Sequence, residues 1–118
     1  MDTRVEQGRS ARAYRLQAKT AKALAHPTRI GILEMLRGGE RCVCEMEPEL
    51  TASQANISQH LAVLRDSNLV VARRDGMRMM YRVTDVRVFQ VLDLMGSIVH
   101  NQLDAARQAL AALESVAA

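Results

Sequence analysis

The clearest pattern of apolar and polar positions runs from Thr51 to Tyr81, TASQANISQHLAVLRDSNLVVARRDGMRMMY. Ile57, Leu61 and Leu64 recur at i, i+4 and i+7, which places one apolar stripe along a helix facing a core. Thr51 followed three residues later by Gln54 has the form of a capping box, so this helix is predicted to open at Thr51. The period then changes. Leu69-Val70-Val71-Ala72 is a β-prone run, Asp75-Gly76 is a tight-turn signal, and Met79-Met80-Tyr81-Arg82-Val83 can return antiparallel. Arg73, Arg74 and Arg78 flank the turn, where they would project beyond the hairpin. Arginines at such a tip suit phosphate or minor-groove contact.

The remaining elements follow from the same reading. Residues before about Arg9 are expected to be frayed, and the alanine-rich run from Ser10 to Ala25 predicts a first helix. Its apolar face (Tyr14, Leu16, Ala21, Leu24) is too weak to support it alone, so it must pack on something. His26-Pro27 breaks the chain, with proline favoured in the first turn of the next helix. Ile30, Ile32, Leu33 and Leu36 give that second helix its buried side, and Gly38-Gly39 ends it. A third helix is predicted from Arg41 to Leu50, kept short by Pro48. Beyond the hairpin, Val86 to Leu113 reads as one long helix with Val88, Val91, Leu92, Met95, Val99, Leu103 and Leu110 on one side. No later segment covers that stripe, so it is expected to meet the first helix and a second copy of the chain. The sequence thus divides into an arm at 1–9, a domain at 10–113 whose last helix (86–113) dimerises, and a tail at 114–118.

Charge points to a partner. The formal net charge is +3, and it is unevenly placed. From Arg4 to Lys22, six basic residues (Arg4, Arg9, Arg12, Arg15, Lys19, Lys22) stand against Glu6 alone, whereas the segment after Val83 carries four acids and two arginines. Such an asymmetry suits a polyanion contacted by one side of the molecule. Aromatic residues make up only 3% of the chain, which argues against stacking on single strands and for duplex DNA. No apolar run is long enough to span a membrane and no signal segment opens the chain, so a cytoplasmic location is expected. No base-paired nucleophile, carboxylate dyad or phosphate loop is present to carry catalysis, so the chain is not expected to be an enzyme.

A polar helix face followed at once by an arginine-bearing hairpin is the arrangement of a recognition helix and wing. The stretch SQANISQHLAVLRDSNLVVARRDGMRMMYRV resembles that unit of the ArsR/SmtB family of metal-responsive repressors. The family's Ser-x-His-Leu pattern stands here as Ser58-Gln59-His60-Leu61, followed by Leu64-Arg65. His26-Pro27-Thr28-Arg29 resembles the family's His-Pro-x-Arg helix opening, and Cys42-Val43-Cys44-Glu45 resembles its arsenic-sensing motif. The resemblance implies a mainly α fold with a small β-hairpin wing: a winged helix-turn-helix, dimeric through its first and last helices. It implies a homodimeric repressor of double-stranded operator DNA. Ser53, Gln54, Asn56, Ser58, Gln59 and His60 on the helix, with Arg73, Arg74 and Arg78 on the wing, become the candidate DNA contacts. Gln59 stands where many relatives carry a basic residue, so base preference does not transfer.

The resemblance also implies that Cys42 and Cys44 hold trivalent arsenic or antimony as inducer. Soft thiolates leave cadmium, lead and mercury open as well. The third cysteine of well-known members is missing here; Met46 and Glu47 occupy its neighbourhood. Two cysteines at this spacing make no disulfide framework, and a thiol site is the better expectation in a reducing compartment. Sensing of oxidants or sulfane sulfur through the same thiols is an alternative, and a protein-interaction module without an operator is another. On a regular helix, residues two apart lie about 200° apart around the axis, so the two sulfurs converge only if this turn is frayed, distorted or extended. Asp93 is followed by Met95, and Ala105 and Ala106 stand where further ligands of the family's helix zinc site would lie, so that site is not expected. His26 is read as structural, and His100 as a lone exposed or interface histidine.

Overall fold

The computed structural model describes the backbone of residues 3–117 and the side chains of residues 8–117. The helical periods become α1 (Thr3–Leu24), α2 (Pro27–Met35), α3 (Val43–Leu50), α4 (Gln54–Asp66) and α5 (Arg87–Ala117). Three strands, β1 (Arg41–Cys42), β2 (Val70–Asp75) and β3 (Arg78–Val83), form one antiparallel sheet in the order β1-β3-β2. This is a mainly helical fold with a small β-hairpin wing, matching winged helix-turn-helix architecture. No helix of the described residues is long and apolar enough to cross a membrane.

Several boundaries differ from the sequence expectation, each for a local reason. The first helix opens at Thr3 instead of Ser10, because residues 3–9 are mostly acceptable helix formers with no proline among them. The recognition helix does not open at Thr51. Thr51 adopts a left-handed conformation (φ 48°) that ends α3, and Ser53 takes the capping position, its Oγ accepting from Asn56 N at 3.1 Å. The predicted box between Thr51 and Gln54 is therefore replaced by a cap two residues on. The last helix continues through the expected tail to Ala117.

His26 caps α2 as the sequence implied, with Nδ1 accepting from Thr28 N at 3.1 Å and Pro27 in the first turn. The helix tightens into a 3-10 turn at Leu36–Gly38, and Gly39 (φ 124°) supplies the left-handed exit. Ile57, Leu61 and Leu64 are buried along α4, together with Ile32, Leu33, Leu36 and Met46 from the segments before it. The hairpin turns through Gly76 (φ 63°) and Met77 between Asp75 and Arg78, as the tight-turn signal requires. Its base is closed by Thr84, whose N donates to Leu69 O at 3.0 Å and whose Oγ1 donates to Asn68 O at 2.7 Å.

The chain falls into two compact units, one ending at Val86 and one beginning at Arg87. The second is the 31-residue helix α5, whose apolar side chains Leu94, Ile98, Val99, Leu103, Leu110 and Leu113 are exposed.

Candidate nucleic-acid interface and thiol site

Strand β1 is the element that organises the site, and periodicity gave no sign of it. Arg41 pairs with Tyr81 and Cys42 with Met80, so the residue before α3 is hydrogen-bonded into the return strand of the wing. Cys42 has extended backbone (φ −92°, ψ 166°) and caps α3, while Cys44 lies in the helix's first turn. The extended backbone removes the 200° separation of a regular helix, and the two sulfurs meet: Cys42 and Cys44 form a disulfide with Cα atoms 5.3 Å apart. The expected pair of free thiols is thus found joined. Glu45 completes the turn, its Oε1 accepting from Cys42 N at 3.3 Å. Cys42 is buried and Cys44 is exposed.

The pair opens into a cleft of about 450 Å³ lined by Gln54, Ala55 and Ser58 of α4 and by Met77, Arg78, Met79 and Tyr81 of the wing. Thiol chemistry, recognition helix and wing therefore share one cavity. Among the described residues, no group of three His, Cys, Asp or Glu side chains is arranged to hold a metal ion.

Of the candidate DNA contacts on α4, Ser53, Gln54, Asn56, Ser58 and Gln59 are all exposed, opposite the buried stripe. His60 is not. Its ring lies 4.2 Å from that of His26, and Arg29 Nη1 donates to its Nδ1 at 3.2 Å. Arg29 also holds the end of α1, donating from Nε to Ala23 O at 2.6 Å and from Nη2 to Lys22 O at 3.0 Å. His60 therefore joins α1, α2 and α4 at one packed corner. Burial, then the charges of His26 and Arg29, push its pKa below the ordinary 6.5.

That direction sets a pH dependence. The folded chain resists protonating His60 more than the unfolded chain does, so the contribution is complete above pH 6.5 and is lost as pH falls through the lower folded value. Protonation also removes the Nδ1 acceptor that Arg29 uses. Urea titrations between pH 7 and 5 should show a steeper loss of stability in the wild type than in His60→Gln. Equal slopes would take His60 out of the acid response.

The wing arginines divide. Arg74 and Arg78 are exposed beside the turn. Arg73 is engaged by Glu40, with Nη2–Oε1 and Nε–Oε2 both at 2.8 Å. Hydrogen bonding to Arg73 holds the Glu40 carboxyl below its ordinary pKa. Sequence reasoning grouped the three arginines because they flank one turn; it could not see Glu40, which lies 33 residues away along the chain and reaches Arg73 only because β1 joins the sheet.

A profile of the bacterial regulatory proteins of the arsR family matches residues 26–71, from the α2 cap into β2. The uncharacterised HTH-type transcriptional regulator Rv0081 of Mycobacterium tuberculosis is 41% identical over 80 residues, covering 67% of this chain and 70% of that one. The chain belongs to the ArsR/SmtB family. The crystal structure of Rv0081 superposes on this ArsR/SmtB chain with a TM-score of 0.72 and 36% identity, covering 80% of this chain and 95% of that one. The arsenical resistance operon repressor of Escherichia coli K12 is 41% identical over 73 residues (61% of this chain, 62% of that one). The probable mercury resistance operon repressor of Streptomyces lividans is 40% identical over 77 residues (65% and 62%). ArsR/SmtB proteins are transcription factors and not enzymes. This one is a winged helix-turn-helix DNA-binding repressor with a closely spaced cysteine pair.

Proposed function

We propose that the chain is a homodimeric, cytoplasmic repressor that holds a palindromic operator until a thiophilic metal(loid), trivalent arsenic or antimony before cadmium, lead or mercury, engages Cys42 and Cys44. One observation carries this reading: both cysteines line the cleft that the first turns of α4 and the wing also line. Cys42 is hydrogen-bonded to β3 through β1, and Cys44 opens α3. Any ion that sets the distance between the two sulfurs acts on the foot of the wing and on the helix before α4. An inducer that prefers one arrangement over the other shifts the equilibrium by that difference in affinity, and coupling of 1–3 kcal/mol is an ordinary magnitude.

Two copies would place their α4 helices in successive major grooves, roughly 34 Å apart. Gln54, Asn56, Ser58 and Gln59 would face base edges, with Ser53 presenting the helix start. Exposed Tyr14 and Leu16 on α1 and the exposed apolar side of α5 support dimerisation through the first and last helices. The relatives named for arsenical and mercury resistance support a thiophilic inducer.

The disulfide favours a second reading, in which oxidation of the pair is itself the signal. One experiment separates the two: binding of the reduced protein to a duplex from its own upstream region, with arsenite, antimonite or a mild oxidant added, for wild type, Cys42→Ser and Cys44→Ser. The metalloid reading expects arsenite to weaken binding by about 5–150-fold in wild type only. Release by oxidant alone would favour the redox switch, and release of neither kind would remove the cysteines from induction.

A further inference from the structure

Helix α1 is held to its neighbours at its end. Of its described side chains, Ala23 and Leu24 in the last turn are buried and all those before them are exposed. Only Ala25 and His26 separate α1 from α2, so the direction of the long helix is fixed at this joint. The last carbonyls of a helix have no partner within it, and Arg29 of α2 reaches back to two of them, from Nη2 to Lys22 O at 3.0 Å and from Nε to Ala23 O at 2.6 Å. A cation at that end also complements the helix dipole. The third nitrogen, Nη1, donates to His60 Nδ1 on α4 at 3.2 Å. One planar guanidinium thus spans three helices, each of its nitrogens on a different acceptor. The His60 ring is itself braced against His26, the cap of α2.

We propose that Arg29 is a positioning residue for operator recognition: its three-way strut fixes the angle between α1 and α4, and with it the half-site spacing that the dimer accepts. The inference rests on the reading of the chain as a repressor that dimerises through its first and last helices. With 22 residues α1 is about 33 Å long, so a swing of about 10° at the joint would carry its far end about 6 Å. Neighbouring base pairs are about 3.4 Å apart. A joint that loose would blur the placement of the second α4 by more than one base pair, whereas paired recognition helices must enter grooves a fixed turn apart. Lysine carries a single nitrogen on a flexible stem and cannot hold acceptors on two helices as a rigid fork does.

The test measures binding of the full chain to palindromic duplexes made from its own upstream region, with one to three base pairs inserted or deleted at the centre, and to a duplex with one half-site. Wild type should prefer one spacing by about tenfold or more, the scale of a mismatched site. Arg29→Lys should flatten that preference to less than about threefold while binding the single half-site as wild type does. Ile32→Val, which loosens the core of the same helix without touching the strut, should keep the sharp preference. If Arg29→Lys fails to fold, His60→Leu removes only the acceptor on α4 and should flatten the preference in the same way. A preference kept by the strut variants, or lost equally in Ile32→Val, would overturn the assignment and leave the repressor standing. Wild-type binding that ignores spacing, or that shows no salt dependence on any duplex, would sink the dimeric repressor and this inference together.

Discussion

Leu61→Ala should cost about 3 kcal/mol of folding stability and weaken operator binding with it. Leu61 is only 1% exposed and lies between Ile57 and Leu64, each at 0%, so the removed methyl groups leave a cavity that well-packed neighbours cannot fill. Large-to-small changes at such sites cost about 2–5 kcal/mol, from lost transfer energy and from the cavity itself. A domain of this size has about 5–15 kcal/mol in total, so the helix that presents Gln54, Asn56, Ser58 and Gln59 would be markedly less well held. Val63, on the opposite face of the same helix, is 39% exposed, and Val63→Ala should stay within about 0.5 kcal/mol. Urea denaturation of the two variants checks this, with a lower midpoint and an unchanged slope for Leu61→Ala alone. Equal losses in both would mean that the buried stripe is not what seats α4.

That stripe was legible because it is local: three residues at helical spacing carry the whole signal, and the structure buries all three. The hairpin was legible for the same reason, since Asp75-Gly76 allows a turn that few other pairs do. What the sequence hid was set by contacts between distant segments. Arg41-Cys42 is too short to show any period, and it is a strand only because Tyr81 and Met80 lie beside it. Once it is a strand, Cys42 is extended, the two sulfurs meet, and Glu40 is carried to Arg73. One unrecognised two-residue strand thus accounts for both the geometry of the cysteine pair and the ion pair that engages Arg73, one of the candidate phosphate contacts. The start of α4 shows a subtler limit. Thr51 and Ser53 both have capping chemistry, and the choice fell to Ser53 because Thr51 had already been used, in a left-handed conformation, to end α3.

The division among the wing arginines leads to the second large effect, on DNA binding. The double variant Arg74→Ala/Arg78→Ala should lower the slope of log affinity against log salt by about 1.8, since each phosphate contact contributes about 0.9. Both side chains are exposed beside the turn. Arg73→Ala should change that slope much less, because its guanidinium is already neutralised by Glu40 through two contacts at 2.8 Å. The sharper test runs in the opposite direction. Glu40→Gln keeps the shape of the side chain but removes the charge that holds Arg73, which frees a cation on the wing and should steepen the slope by up to about 0.9. Combining Glu40→Gln with Arg73→Ala should cancel that gain, a non-additivity expected only of residues in direct contact. Measuring the four slopes on one duplex across 50–200 mM salt decides the matter. If Arg73→Ala matches the loss of Arg74 or Arg78, the ion pair opens when DNA binds, and Glu40 competes with phosphate for the same arginine.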